Sequence, residues 1–177
     1  MPDPTPARAP VQSKTVGVVT ELTLVNLVKP GLGPKLRQVL SHVRPDVIRP
    51  LVTIHFARWV LIDNDTRLLF CSNFDGTLDD YLSDFVEVMP DGMDGIWDNC
   101  VDYPAEGCRN FPAFLAWVAK YQVETTLWYA AYPTATVRDV IKALDVKAKA
   151  DHFVEAINQP PGPTVGQVPE PPPAPGA

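Results

Sequence analysis

The sequence predicts an α+β domain, an antiparallel sheet with helices on one face. Three observations predict it. Two runs dense in β-branched and aromatic residues, 15–28 and 52–62, hold too few helix formers to be helical. The second run meets a third, Arg67 to Ser72, through Asp63-Asn64-Asp65, a turn composition suited to a hairpin. Apolar residues at helical spacing fill the remaining intervals.

In chain order, the strand 15–28 stops at Pro30-Gly31, and Leu36, Val39, Leu40 and Val43 then recur at i, i+3, i+4 and i+7. That stripe makes a helix of about ten residues ending before Pro45, because the residue ahead of a proline disfavours helical backbone. After the hairpin, Thr77-Leu78-Asp79-Asp80 sets a hydroxyl three residues before a carboxylate, as in a capping box, and Leu78, Tyr81, Leu82, Phe85 and Met89 supply the stripe of a second helix. Met93 to Cys100 is compatible with a short helix, and Asn110 followed by Pro112 starts another through Phe111, Phe114, Leu115 and Val118. Val123 to Tyr132 returns to strand composition and ends at Pro133. Thr136 to Asp139 is a second capping box, opening a helix that runs to about Ile157, with a break near Asp145 if anywhere. The order β-α-β-β-α-(helices)-β-α contains βαββαβ, the split arrangement of the ferredoxin-like fold.

Composition sets the boundaries. Of 177 residues, 46% are hydrophobic and 20% charged, and four of the 20 prolines fall in residues 1–13 and eight in residues 160–177. Those ends hold too little apolar material to offset the entropy of ordering. The expected folding unit is therefore 14–158, between an N-terminal segment (1–13) and a Pro-rich tail (159–177). No apolar run reaches the ~18 residues a membrane span needs. Met1-Pro2-Asp3-Pro4 lacks a signal-like basic and apolar stretch, so a cytoplasmic protein is expected.

Net charge is −6, and residues 75–106 carry ten acids with no Lys or Arg. A strongly negative face repels phosphate backbones, which argues against nucleic-acid binding. Such a face is a solvated helix pair, a docking surface for a basic partner or a weak divalent-cation site. Cys71 is expected to pack as a small hydrophobe; Cys100 and Cys108 have no CxxC or histidine beside them that would suggest zinc, and their spacing leaves a Cys100–Cys108 bridge open.

The second strand is apolar on both sides: Ile54, Phe56, Val60 and Ile62 with Arg58 on one, His55, Ala57, Trp59 and Leu61 on the other. One helical layer covers one face only. Either a second copy covers the other, making a homodimer with space for a ligand between the sheets, or the 110–122 helix and the last helix do so within one chain.

With this element order, residues 15–145 resemble the dimeric α+β-barrel group, which includes antibiotic-biosynthesis-type monooxygenases and, more distantly, the chlorite-dismutase and dye-decolorising-peroxidase families. HFARW (His55 to Trp59) and LLFCSNFDG (Leu68 to Gly76) also resemble segments of uncharacterised bacterial proteins. The resemblance implies a small-ligand or cofactor cavity and an oxygenase- or peroxidase-like redox reaction if the chain is an enzyme. In haem members of the group a histidine on a helix after the barrel binds iron, which places His152 in that role here.

The residues themselves offer one cluster. His55, Arg58, Trp59, Asn73, Asp75 and Tyr81 fall on or near the hairpin. Histidine moves a proton near neutral pH, aspartate orients it, and Arg and Trp hold an anionic or aromatic ligand. The expectation is His55 and Asp75 as catalytic residues, with Arg58, Trp59, Asn73 and Tyr81 as ligand contacts. A second motif, Asn73 to Asp80, is similar to the DxDGT[LV] motif of haloacid-dehalogenase-type phosphatases, with Asp75 and Asp79 as magnesium ligands if the likeness holds. Asn73 stands where that family has its nucleophile, and a carboxamide cannot form an aspartyl-phosphate. The competing expectation is a non-catalytic interaction domain working through its acidic face and its tail, whose Pro169 to Pro175 favours polyproline II.

Overall fold

The structure is a computed structural model describing residues 12–158; the first eleven residues and the Pro-rich tail lie outside the described residues. Four strands form one antiparallel sheet: β1 (Thr15–Val16), β2 (Val19–Leu27), β3 (Ile54–Ile62) and β4 (Arg67–Asp75), in the order β1-β2-β4-β3. The hairpin β3–β4 is as expected. β4 lies between β2 and β3, the two strands joined by the first helical connection.

The expected strand 15–28 is broken near its start. Gly17 adopts φ +65°, folding β1 back on β2 so that Thr15 pairs with Thr20. A Cβ there would also sit 2.0 Å from the Pro133 carbonyl oxygen, so the position requires glycine twice over.

The described residues form six helices: α1 (Gly33–His42), α2 (Pro45–Ile48), α3 (Leu78–Val88), α4 (Pro90–Trp97), α5 (Phe111–Tyr121) and α6 (Val137–Asn158); all but α2, a single turn that the sequence reading did not expect, answer to expected helices. Thr77 caps α3 by accepting from the Asp80 N–H at 3.2 Å, and Asn110 caps α5. At the start of α6, Thr136 and Asp139 bond reciprocally, each side chain accepting from the other's backbone N–H. α6 is continuous, without a break at Asp145.

The chain divides into two compact units at Val140/Ile141. The first holds the core. Phe70, at the centre of β4, has Trp59 on one side and Trp97 on the other, with ring centroids 4.9 and 5.5 Å away. Tyr81 stacks on Phe74 at 3.8 Å and donates its hydroxyl to Ser72 Oγ at 2.6 Å. Leu22, Leu24, Phe85, Phe114, Trp117 and Val118 complete this side. In the second unit, the described residues are the remainder of α6, where Lys149 pairs with Asp145 and Lys147 with Asp151 one turn apart. No helix among the described residues is long and apolar enough to cross a membrane.

Two expectations are corrected here. Phe114, Trp117 and Val118 of α5 join the same core as α3 and α4, so the 110–122 helix does not cover the other face. Residues 123–132 do not form a regular strand. They run beside β2, bound at one end by the Val123 N–H on the Thr23 carbonyl (2.9 Å) and at the other by the Val18 N–H on the Pro133 carbonyl (2.8 Å). Strand propensity measures fit to a pleated, half-buried surface, and here Leu127 and Tyr129 are exposed instead.

Candidate functional site

The site begins with one extra residue in β3. Ile54 pairs with Phe74 and Phe56 with Asn73, leaving His55 as a bulge. The bulge reverses the alternation for one residue. Ile54, Ala57, Trp59 and Leu61 pack on the helical core, whereas Phe56, Arg58 and Val60 stand exposed on the open face with Asn73 and Cys71 of β4. His55 turns toward that open face and meets Asp75, which follows Asn73 on the same side of β4.

His55 Nε2 lies 2.8 Å from Asp75 Oδ1, with the histidine side chain 5% exposed and the aspartate 15%. The second carboxylate oxygen accepts from the Val137 N–H at 2.9 Å. Asp75 thus anchors the ring and the first turn of α6 together. An ionised aspartate accepts hydrogen bonds only, so Nε2 carries a proton toward it, and in the neutral tautomer that leaves Nδ1 as the ring's acceptor. Among the described residues, Nδ1 has no hydrogen-bond partner.

The irregular strap 123–133 builds the opposite wall. Its start is held by Glu21, a buried carboxylate on the open side of β2 that accepts from Thr125 Oγ1 at 2.7 Å and from the Lys14 N–H at 3.2 Å. Lys14 Nζ adds a bond to the Thr126 carbonyl at 3.0 Å. So fixed, residues 128–132 face Val19, His55, Phe56 and Asn73 across a hollow of about 230 Å³. Trp128, Tyr129 and Tyr132 give it aromatic walls, and the Tyr132 ring centroid is 6.2 Å from that of His55.

Of the residues singled out from the sequence, the structure brings together His55, Asp75 and Asn73, with Arg58 two residues beyond Phe56 on the same face. Trp59 and Tyr81 lie on the other face, in the helical core, where burial pushes the Tyr81 hydroxyl well above its ordinary range and Ser72 accepts its proton. They are packing residues and do not reach the hollow. His152 is exposed in the second unit. Sequence reasoning missed Glu21, Trp128, Tyr129 and Tyr132, whose one signal was an aromatic cluster, WYAAY, directly ahead of Pro133.

Haem does not fit the expected place. The hollow is smaller than the roughly 300–1,000 Å³ of sites that take drug-sized ligands, and the side chain of His152 is exposed, without the apolar surroundings that enclose a haem. The magnesium arrangement of the phosphatase motif is not made either. Both oxygens of Asp75 accept from protein donors, Asp79 is exposed, and the sheet is antiparallel. Among the described residues no group of three His, Cys, Asp or Glu is placed to share a metal.

The acidic stretch is less negative than its sequence suggests. Asp91 pairs with Arg109 at 2.8 Å, Asp98 with Lys29 at 3.1 Å and Asp102 with Lys120 at 2.6 Å, all bases from outside the stretch. Asp94 has a structural task, accepting from Tyr103 Oη at 2.6 Å and the Cys108 N–H at 2.8 Å. Cys100 and Cys108 are buried free thiols, pushed up to about 12 and about 11 chiefly by desolvation. Cys71 is half-buried on the open face and not in the core.

No protein-family model matches the chain, and neither a curated protein nor a solved structure matches it.

Proposed function

We propose that the protein binds a small aromatic ligand in the hollow between β3 and the 128–132 strap, and that His55 exchanges a proton with it. The observation that carries this reading is the buried His55–Asp75 pair at the edge of an aromatic recess, with Nδ1 of the ring unbonded among the described residues. Aspartate behind imidazole is the arrangement that holds one tautomer ready for acid–base work.

The antiparallel order β2-β4-β3 supports a ferredoxin-like sheet, and the exposed Phe56, Val60 and Leu27 on its open side support the pairing of two such sheets around the site. Protein-observed NMR with phenol and with indole as probes tests the ligand reading. The expected result is amide shifts confined to residues 19, 55–56, 73 and 128–132. Shifts scattered over the surface, or none at millimolar probe, would overturn it.

A further inference from the structure

We propose that the ligand class is a hydroxyaromatic carboxylate, its hydroxyl on His55 and its carboxylate on Arg58; this rests on the reading of the hollow as a ligand site. A second depression, lined by Phe56, Ala57, Arg58, Cys71 and Asn73, shares Phe56 and Asn73 with the hollow, so the two adjoin along the open face.

The adjoining depressions are electrically polar. At one end Asp75 lies behind His55, and its charge repels an anion. At the other end stands Arg58, which has no acidic partner among the described residues; Arg37, Arg44, Arg67 and Arg109 each engage an aspartate, and Arg49 and Arg138, which also have none, line neither depression. A guanidinium fork matches a carboxylate in shape and charge. The anionic group of a ligand therefore goes to Arg58 and not to His55.

In the neutral tautomer, with Nε2 committed to Asp75, Nδ1 accepts, so the group that meets it donates. A carboxylate cannot supply that proton; a phenolic hydroxyl can. Trp128, Tyr129 and Tyr132, which line the hollow at the His55 end, take the ring there. Arg58 is three residues beyond His55, roughly 10 Å along the strand, a span that the hydroxyl, ring, two methylenes and carboxylate of one ligand cover together. Asn73, common to both depressions, lies midway with a carboxamide able to donate or accept.

Calorimetric titration with 3-(4-hydroxyphenyl)propanoate, its primary amide and 3-phenylpropanoate separates the contacts. The unmodified protein is expected to bind the hydroxy acid more tightly than either other probe. Arg58→Gln, an exposed substitution that leaves the core intact, should weaken the acid about fivefold and the amide less than twofold. Equal affinity of acid and amide, or equal losses in Arg58→Gln, would overturn the carboxylate assignment while leaving the hollow a ligand site. Equal affinity with and without the hydroxyl would overturn the His55 contact. No binding of any probe would overturn both this inference and the reading beneath it.

Discussion

His55 Nε2 lies 2.8 Å from Asp75 Oδ1, and the other oxygen of the same carboxylate holds the Val137 N–H at 2.9 Å. One acid thus joins the bulge of β3, the end of β4 and the start of the last helix.

The two partners should differ in what their loss does. Asp75→Ala removes both bonds and leaves a buried imidazole and a helix N–H unmatched, so it should lower stability by about 2–3 kcal/mol. His55→Ala leaves Oδ1 at a hollow that water can enter, and should lower it by about 1 kcal/mol. Denaturant unfolding of both variants measures the difference; equal losses would contradict the double role of Asp75.

Gly17→Ala should act on the site from the far end of the strap. Its φ of +65° strains any side chain, and its Cβ would collide with the Pro133 carbonyl that accepts from Val18. A loss of about 2 kcal/mol is expected in thermal unfolding, together with weaker phenol shifts at residues 128–132. Unchanged stability would show that the strap is not fixed there.

Asp94 should set part of the acid limit of stability. Burial by itself would raise its pKa, but the bonds from Tyr103 and Cys108 and the charge of Arg109 outweigh it and hold the carboxyl below its ordinary value of 3.8. A carboxyl depressed by folding stabilises the native state above that ordinary value and stops doing so as pH falls through the depressed one. Asp94→Asn should therefore lower stability at neutral pH and flatten its decline below about pH 4. Stability curves of the two proteins that stay parallel through this window would contradict the assignment. Gly107 packs against the same carboxylate, a Cβ there falling 2.5 Å from Oδ2, so Gly107→Ala should reproduce the loss at neutral pH.

Asn26 offers the opposite sign. It is fully buried opposite Leu68, and neither amide atom has a partner among the described residues. Asn26→Leu, the same branched shape with methyl groups in place of the amide atoms, should raise stability by about 1–2 kcal/mol. A fall would mean that the amide is hydrogen bonded in solution.

These residues also show what the sequence reveals. Helices α3 and α5 were legible because apolar residues recur at helical spacing behind the caps Thr77 and Asn110, and α1 because Leu36, Val39 and Leu40 do so without a side-chain cap. The nearness of His55 to Asp75 was legible from hairpin register alone. Its face was not: period-two alternation groups His55 with Trp59, and a single bulged residue reverses that. Likewise the β-branched run 15–28 hides the turn at Gly17, since propensity sums over a window and one positive φ does not. Residues 123–132 carry strand composition yet owe their path to Glu21, Lys14 and Pro133, contacts distant in sequence. The aromatic wall was thus invisible until the chain was folded.

The account depends most on the state of the His55 ring. Long-range proton–nitrogen NMR, assigned against His55→Gln, reads its tautomer and its response to phenol. The account predicts a neutral ring protonated at Nε2, with the Nδ1 resonance moving as phenol is added. A ring protonated at Nδ1, or an Nδ1 resonance that phenol leaves in place, would contradict it.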